Sequence, residues 1–185
     1  MYLAPRENEG LIAFSNARFY DSRLVTFPTA DDAEGQLGVR WEHVPDGIYD
    51  RGKSRTNARE ALRIIDLVVE HWRNHPEESL GVVTLSQAQM DRVDDLLQER
   101  IKGEPELEAF YAQEGDERFF VKNLENVQGD ERDHIILGIG YGKDNRGVLT
   151  TGFGPLNRVG GERRLNVAIT RAKRRLTAVA SFRYS

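Results

Sequence analysis

Apolar positions along this chain recur with two periods, and the alternation between those periods lays out its architecture. Leu37 to Val44 (LGVRWEHV) alternates in the manner of a strand, whereas Asn57 to His75 carries Ala61, Leu62, Ile65, Leu67, Val68 and Trp72 at broadly helical spacing. Leu80 to Leu85 (LGVVTL) reads as a short buried strand, and a helix follows from about Gln87 to Ile101. Lys102 to Glu117 is polar and acidic, which predicts a surface excursion with a short helix around Leu107 to Tyr111. Phe119 to Val121 and His134 to Tyr141 predict two more strands. A Gly/Asn-rich loop from Gly142 to Gly161, an arginine-bearing helix and a last strand from Leu176 to Phe182 close the chain. Strands separated by helices imply an α/β fold with a mostly parallel sheet covered on both faces.

Length and composition narrow this little. A chain of 185 residues buries one substantial core, so a single domain over 1–185 is expected, with residues 1–36 leading into an α/β core over 37–185. The absence of cysteine excludes a disulfide framework and thiolate metal sites, and is compatible with a cytoplasmic protein. No apolar run approaches the length of a membrane span, and no signal-peptide pattern opens the chain, so no membrane partner is expected. The net charge of −4 is no nucleic-acid footprint, but its distribution is uneven. From Arg158 onward eight Lys/Arg face one acidic residue, so the basic end stands against a strongly acidic remainder.

That basic end holds the most specific chemistry. In Gly161 to Lys173 (GERRLNVAITRAK), a helical projection at about 100° per residue puts Leu165, Ala168, Ile169 and Ala172 on one apolar stripe. Arg164 and Arg171, seven positions apart, then share a flank about 10 Å apart along the axis. Paired guanidinium forks suit an oligophosphate, although a solvated basic helix has the same spacing. Some thirty residues upstream, Val127 to Leu137 (VQGDERDHIIL) reads as a glycine-bearing polar loop entering a buried strand.

These two stretches resemble motif VI and motif V of the superfamily I helicases, nearest the subgroup typified by the RNA helicase of nonsense-mediated decay. The resemblance implies a three-layer RecA-like (P-loop NTPase-type) fold, specifically the second of two such domains, lacking a functional P-loop of its own. It implies that ATP with Mg2+ is bound in the cleft against a first RecA-like domain of the same parent protein, which holds most of the nucleotide; no metal ligands are expected here. Arg171 corresponds to the arginine finger, Arg163 and Arg164 to the supporting pair, Gly129 to a backbone approach to the phosphates, and Glu131 to a ribose contact. Where Asp130 stands the subgroup often has a basic residue, which speaks against a phosphate contact there. The implied partner is single-stranded DNA or RNA. Thr84 and Ser86, at the end of Gly81-Val82-Val83-Thr84-Leu85-Ser86-Gln87, and Asn123 and Asn126 before motif V match strand-contacting positions, although Ser86 equally suits a helix cap. Tyr2 to Arg6 and Phe14 to Asp21 fall where relatives carry a Tyr-Arg motif and the segment after it, and the Tyr-Arg motif is not cleanly matched.

Gly47 to Ser54 (GIYDRGKS) satisfies the P-loop pattern letter for letter. A phosphate cradle nevertheless follows an aliphatic strand directly, and here Pro45 and Asp46 intervene, Ile48 and Tyr49 are bulky, and Asp50 is anionic. A connecting loop is expected, with Asn57 and Glu60 opening the next helix as they do in the relatives. Two other readings remain open: a non-catalytic nucleic-acid-binding module with this fold, and a self-contained small NTPase. Among the remaining residues, His71 and His75 read as a solvated helix end, and Trp41 and Trp72 as core.

Overall fold

The computed structural model describes residues 38–149 and 152–182. Five strands, β1 (Gly38–His43), β2 (Leu80–Thr84), β3 (Phe120–Asn123), β4 (Arg132–Gly138) and β5 (Ala172–Ala180), form one sheet in the order β1-β5-β4-β2-β3. Every neighbouring pair is parallel. Helices α1 (Ala58–Asn74) and α2 (Gln87–Gly103) cover one face, followed by the short α3 (Glu108–Tyr111); α4 (Gly161–Ile169) covers the other. The expected α/β, three-layer, parallel architecture is therefore present.

Local chemistry explains the elements. Asn57 caps α1 by accepting from the Glu60 amide, and Ser86 caps α2 by accepting from the Gln89 amide. The inner face of α1 presents Ile64, Val68 and Trp72 to Val82, Ile136 and Val179, with Val93 and Leu97 of α2 completing that core. On the opposite face Ala168 and Ile169 pack against Val83, Ile135, Leu137 and Leu176. Full burial of each aliphatic side chain contributes about 1.5–3 kcal/mol, so both layers are held by substantial apolar contact. Gly81 permits one close approach, since a Cβ there would lie 2.5 Å from the Phe120 ring.

Several boundaries differ from those expected. The arginine helix stops at Ile169, so Arg171 lies on the turn into β5, which begins at Ala172 rather than Leu176. Pairing with β4 imposes extended backbone on Lys173, Arg174 and Arg175 despite their polar character. β4 begins at Arg132, not His134, because that arginine is buried. Its Nε and Nη2 donate to Arg118 O at 2.9 and 2.6 Å, and its guanidinium lies 4.8 Å from the Phe120 ring centroid.

Two single-residue expectations are overturned. Trp41 is 49 % exposed, because β1 is an edge strand, whereas Trp72 is buried as expected. His71 is buried rather than solvated: its Nδ1 lies 3.1 Å from His134 Nδ1, and its Nε2 is 3.0 Å from Glu78 O. Tyr2 to Arg6, Phe14 to Asp21 and the leading segment 1–36 lie outside the described residues.

Candidate functional site

Because all five strands are parallel, the chain offers chemistry at two ends of the sheet. The connection from β3 to β4 leaves the carboxyl end of β3 and runs beside α4 to the amino end of β4. Between this connection and α4 opens a cavity of about 700 Å3 lined by Gln128, Gly129, Arg163, Arg164, Val167 and Arg171, among others. Four of the expected phosphate-site residues therefore meet at one cavity. The helix ends before Arg171, so the turn, rather than a continuous helical flank, carries that guanidinium to the cavity.

Arg171 is held from three directions. Its Nε donates to Val167 O (3.1 Å) and its Nη2 to Thr170 Oγ1 (3.3 Å), while Nη1 lies 3.8 Å from Glu131 Oε1. Glu131, the expected ribose contact, thus sits beside the expected arginine finger. Gly129 adopts φ 89°, a left-handed conformation that L side chains rarely take, and a Cβ there would meet nothing within 4 Å. Its backbone consequently faces open space at the cavity. Asp130 is bound by Lys122 Nζ at 2.6 Å, an ion pair that leaves it facing away from anion chemistry. Three guanidinium groups around an open glycine turn suit a polyphosphate.

The candidate strand contacts lie at the carboxyl ends of β2 and β3 and are differently placed. Thr84 is fully buried, and its hydroxyl donates to Ser86 O (2.9 Å). The Ser86 hydroxyl accepts from the Gln89 amide at 3.2 Å, so it serves as the helix cap. Asn123 accepts from the Glu125 and Asn126 amides (3.0 and 3.1 Å) and donates to Gln87 Oε1 (2.6 Å). Asn126 reaches solvent, and so does Gln87, which the sequence offered only as a helix start.

The same end of the sheet contains a buried carboxylate. Glu60 accepts from the Gly140 amide (2.6 Å), the Ser181 amide (2.7 Å) and Asn57 Nδ2 (3.1 Å). Burial raises its pKa from 4.5 to about 7, against the opposing effect of those donors. In the sequence Glu60 reads only as part of a helix opening, because its partners Gly140 and Ser181 are distant along the chain.

Gly47 to Ser54 does not form a phosphate cradle. The following helix begins at Ala58 instead of at the Lys-Ser pair, and the Ser54 hydroxyl donates to Asp50 Oδ2 (2.9 Å). His75, Glu77 and Glu78 place ligand atoms within 4.8 Å of one another, but Glu78 is engaged by Arg175 and Arg174. A second cavity, of about 790 Å3, follows the β3 edge near Tyr111, Phe120 and Arg132, away from the motif arginines. Among the described residues no helix is long and apolar enough to cross a membrane.

Comparison with known proteins bears on the family and the fold. A family described as an AAA domain matches residues 5–183. The uncharacterised ATP-dependent helicase MG140 of Mycoplasma genitalium is 36% identical over 174 residues, covering 92% of this chain and 15% of the helicase. Its homologue in Mycoplasma pneumoniae is 34% identical over the same length and shares. The chain thus spans about 15% of the length of these curated relatives. A crystal structure of the C-terminal domain of a possible DNA helicase from Lactobacillus plantarum superposes with TM-score 0.53 at 12% identity, covering 96% of this chain and 88% of that one. Fold, motifs and family coincide: the chain belongs to the AAA domain family, of the helicase C-terminal type to which its two motifs point.

Proposed function

We propose that this chain is the second RecA-like motor domain of an ATP-dependent superfamily I helicase or translocase. The observation that carries the reading is the convergence of Gly129, Arg163, Arg164 and Arg171 on one cavity. When bound there, ATP supplies the phosphoryl group whose developing negative charge the cavity's cations stabilise. Arg171 is the arginine finger; Arg163 and Arg164 hold the oligophosphate; the Gly129 backbone approaches it; Glu131 accepts from the ribose. Mg2+ and most of the nucleotide belong to the first RecA-like domain of the parent protein. Asn126 is the exposed contact to single-stranded DNA or RNA, with Asn123, Thr84 and Ser86 shaping the strand ends behind it.

Turnover of ATP with and without single-stranded nucleic acid tests this, on the chain alone and on the chain extended N-terminally through the next domain. The expected result is silence alone and stimulated turnover in the extended form, reduced at least 10³-fold by Arg171→Ala with strand binding retained. Turnover by the chain alone, abolished by Lys53→Ala, refutes it in favour of a self-contained NTPase. Silence in both forms leaves the non-catalytic binding module.

A further inference from the structure

The loops at the carboxyl ends of β1 and β4 gather cations that the site above does not use. Residues 50–55 form an ordered turn in which the Asp50 carboxylate accepts from the Ser54 amide (3.1 Å) and hydroxyl (2.9 Å), and the Arg55 amide donates to Asp50 O (2.8 Å). In the second loop Asp144 accepts from the Arg146 and Val148 amides at 2.9 and 3.0 Å. The loops are joined, because the Tyr49 amide donates to Lys143 O (2.9 Å) and the buried Tyr49 ring lies 5.2 Å from Tyr141. Arg51, Lys53, Arg55, Lys143 and Arg146 all stand exposed on this surface, and none forms an ion pair among the described residues. The carboxylates nearest them, Asp50 and Asp144, accept hydrogen bonds from their own loops, so two anions stand among the five cations. Arg51 of the first loop lies close enough to Asp144 of the second to help hold that carboxyl below its usual range, after the Val148 and Arg146 hydrogen bonds and the Arg146 charge.

Five cations against two carboxylates leave these adjoining loops net positive, which in a chain of net charge −4 is not a general surface property. Their position relates them to the candidate strand track. The Asn57 amide, at the end of the first loop, donates to Gln89 Oε1 (2.8 Å) in the first turn of the helix that Ser86 caps, so the patch continues from the Ser86 end of the sheet toward the β1 edge. Exposed, rotatable guanidinium and ammonium groups suit a chain of phosphodiesters, whereas the backbone cradle that a nucleoside triphosphate needs is missing from this loop.

We propose that loops 50–55 and 143–146 form a phosphodiester-binding surface that extends the single-strand footprint across the carboxyl ends of the strands to the β1 edge. The proposal rests on the single-strand reading given above. The test measures, by fluorescence anisotropy, the affinity of this chain for oligothymidylate and oligouridylate as a function of KCl concentration. Three proteins are compared with wild type: Arg51→Gln/Lys53→Gln/Arg55→Gln, Lys143→Gln/Arg146→Gln on the other loop, and Arg92→Gln/Lys102→Gln on α2 as a control for bulk charge. At about 0.7 of slope per single-strand phosphate contact, the triple variant is expected to flatten log K against log salt by about 2 and the double by about 1.4, with the control unchanged. If wild type binds and both loop variants keep its slope, or the control falls equally, the surface is refuted and the single-strand reading stands. If wild type binds neither oligonucleotide, both fall together.

Discussion

Glu60 offers the sharpest quantitative test of how this domain is tied together. Its carboxylate is the shared acceptor for the Gly140 amide after β4 and the Ser181 amide after β5, with Asn57 Nδ2 as a third donor. Glu60→Ala strands the two backbone N–H groups away from water; at about 1–3 kcal/mol for each unsatisfied group the expected loss is roughly 2–6 kcal/mol. Glu60→Gln keeps the shape and removes the titration. In the folded chain the carboxyl titrates at about 7 instead of the ordinary 4.5. Protonation therefore favours the fold: this contribution is complete below pH 4.5 and is lost as pH rises through 7. At about 1.36 kcal/mol per pH unit of displacement the change amounts to roughly 3 kcal/mol. Urea denaturation followed by circular dichroism, from pH 4 to pH 8, gives wild-type stability minus that of the Gln variant. Taking the difference cancels the other titrating groups. The reasoning is refuted if that difference is flat across this window, or if the Ala variant stays within about 1 kcal/mol of wild type.

Three further outcomes are expected. Gly81→Ala drives a methyl group into the Phe120 ring, so it should destabilise by about 1–3 kcal/mol in the same denaturation assay. His71 and His134 are both held below the usual histidine pKa by burial, and His134 next by Arg175. They stay neutral when folded and charge when unfolded, so stability falls as pH drops below 6.5, and His134→Gln should lessen that fall in pH-dependent melts. Gly129→Ala forces an L residue to φ 89° without any clash, so nucleotide-dependent turnover of the extended protein should drop while the melting temperature moves by only a few degrees.

How far the sequence reaches depends on whether a feature is local. The apolar run of β2 and the capped, amphipathic α1 announce themselves within a few residues, as do the two motifs whose spacing brings Gly129 and Arg171 together. The boundary between α4 and β5 is not local: Ala172 to Arg175 become strand because β4 is beside them, and nothing in Ala-Lys-Arg-Arg says so. Arg132 reads as part of a polar loop and His71 as a solvated helix end because their partners, Arg118 O and His134, are distant in sequence. Trp41 misleads in the opposite sense, since a large aromatic on an alternating strand suggests core and only the sheet order reveals an edge. The track residues show a similar gap. Hydroxyl and amide types were legible at the strand ends, but that Thr84 turns inward while Gln87 reaches solvent required the fold.

The amide of Arg132 donates to Arg171 O at 3.0 Å, at the very start of β4 and β5. Glu131 and Arg171 are therefore neighbours across the first rung of a parallel ladder, not merely at the rim of the same cavity. The backbones that carry the anion of one motif and the cation of the other cannot part without opening the sheet from its end, although the half-exposed Glu131 side chain can still rotate. The turn that carries Arg171 is thus set when the chain folds, and the Val167 carbonyl and Thr170 hydroxyl hold its guanidinium there, so under the proposed role the cation would not have to be gathered again in each cycle. What remains adjustable is the approach of whatever surface faces it, so a cycle of opening and closing would move this domain as a unit, with its charged face already set.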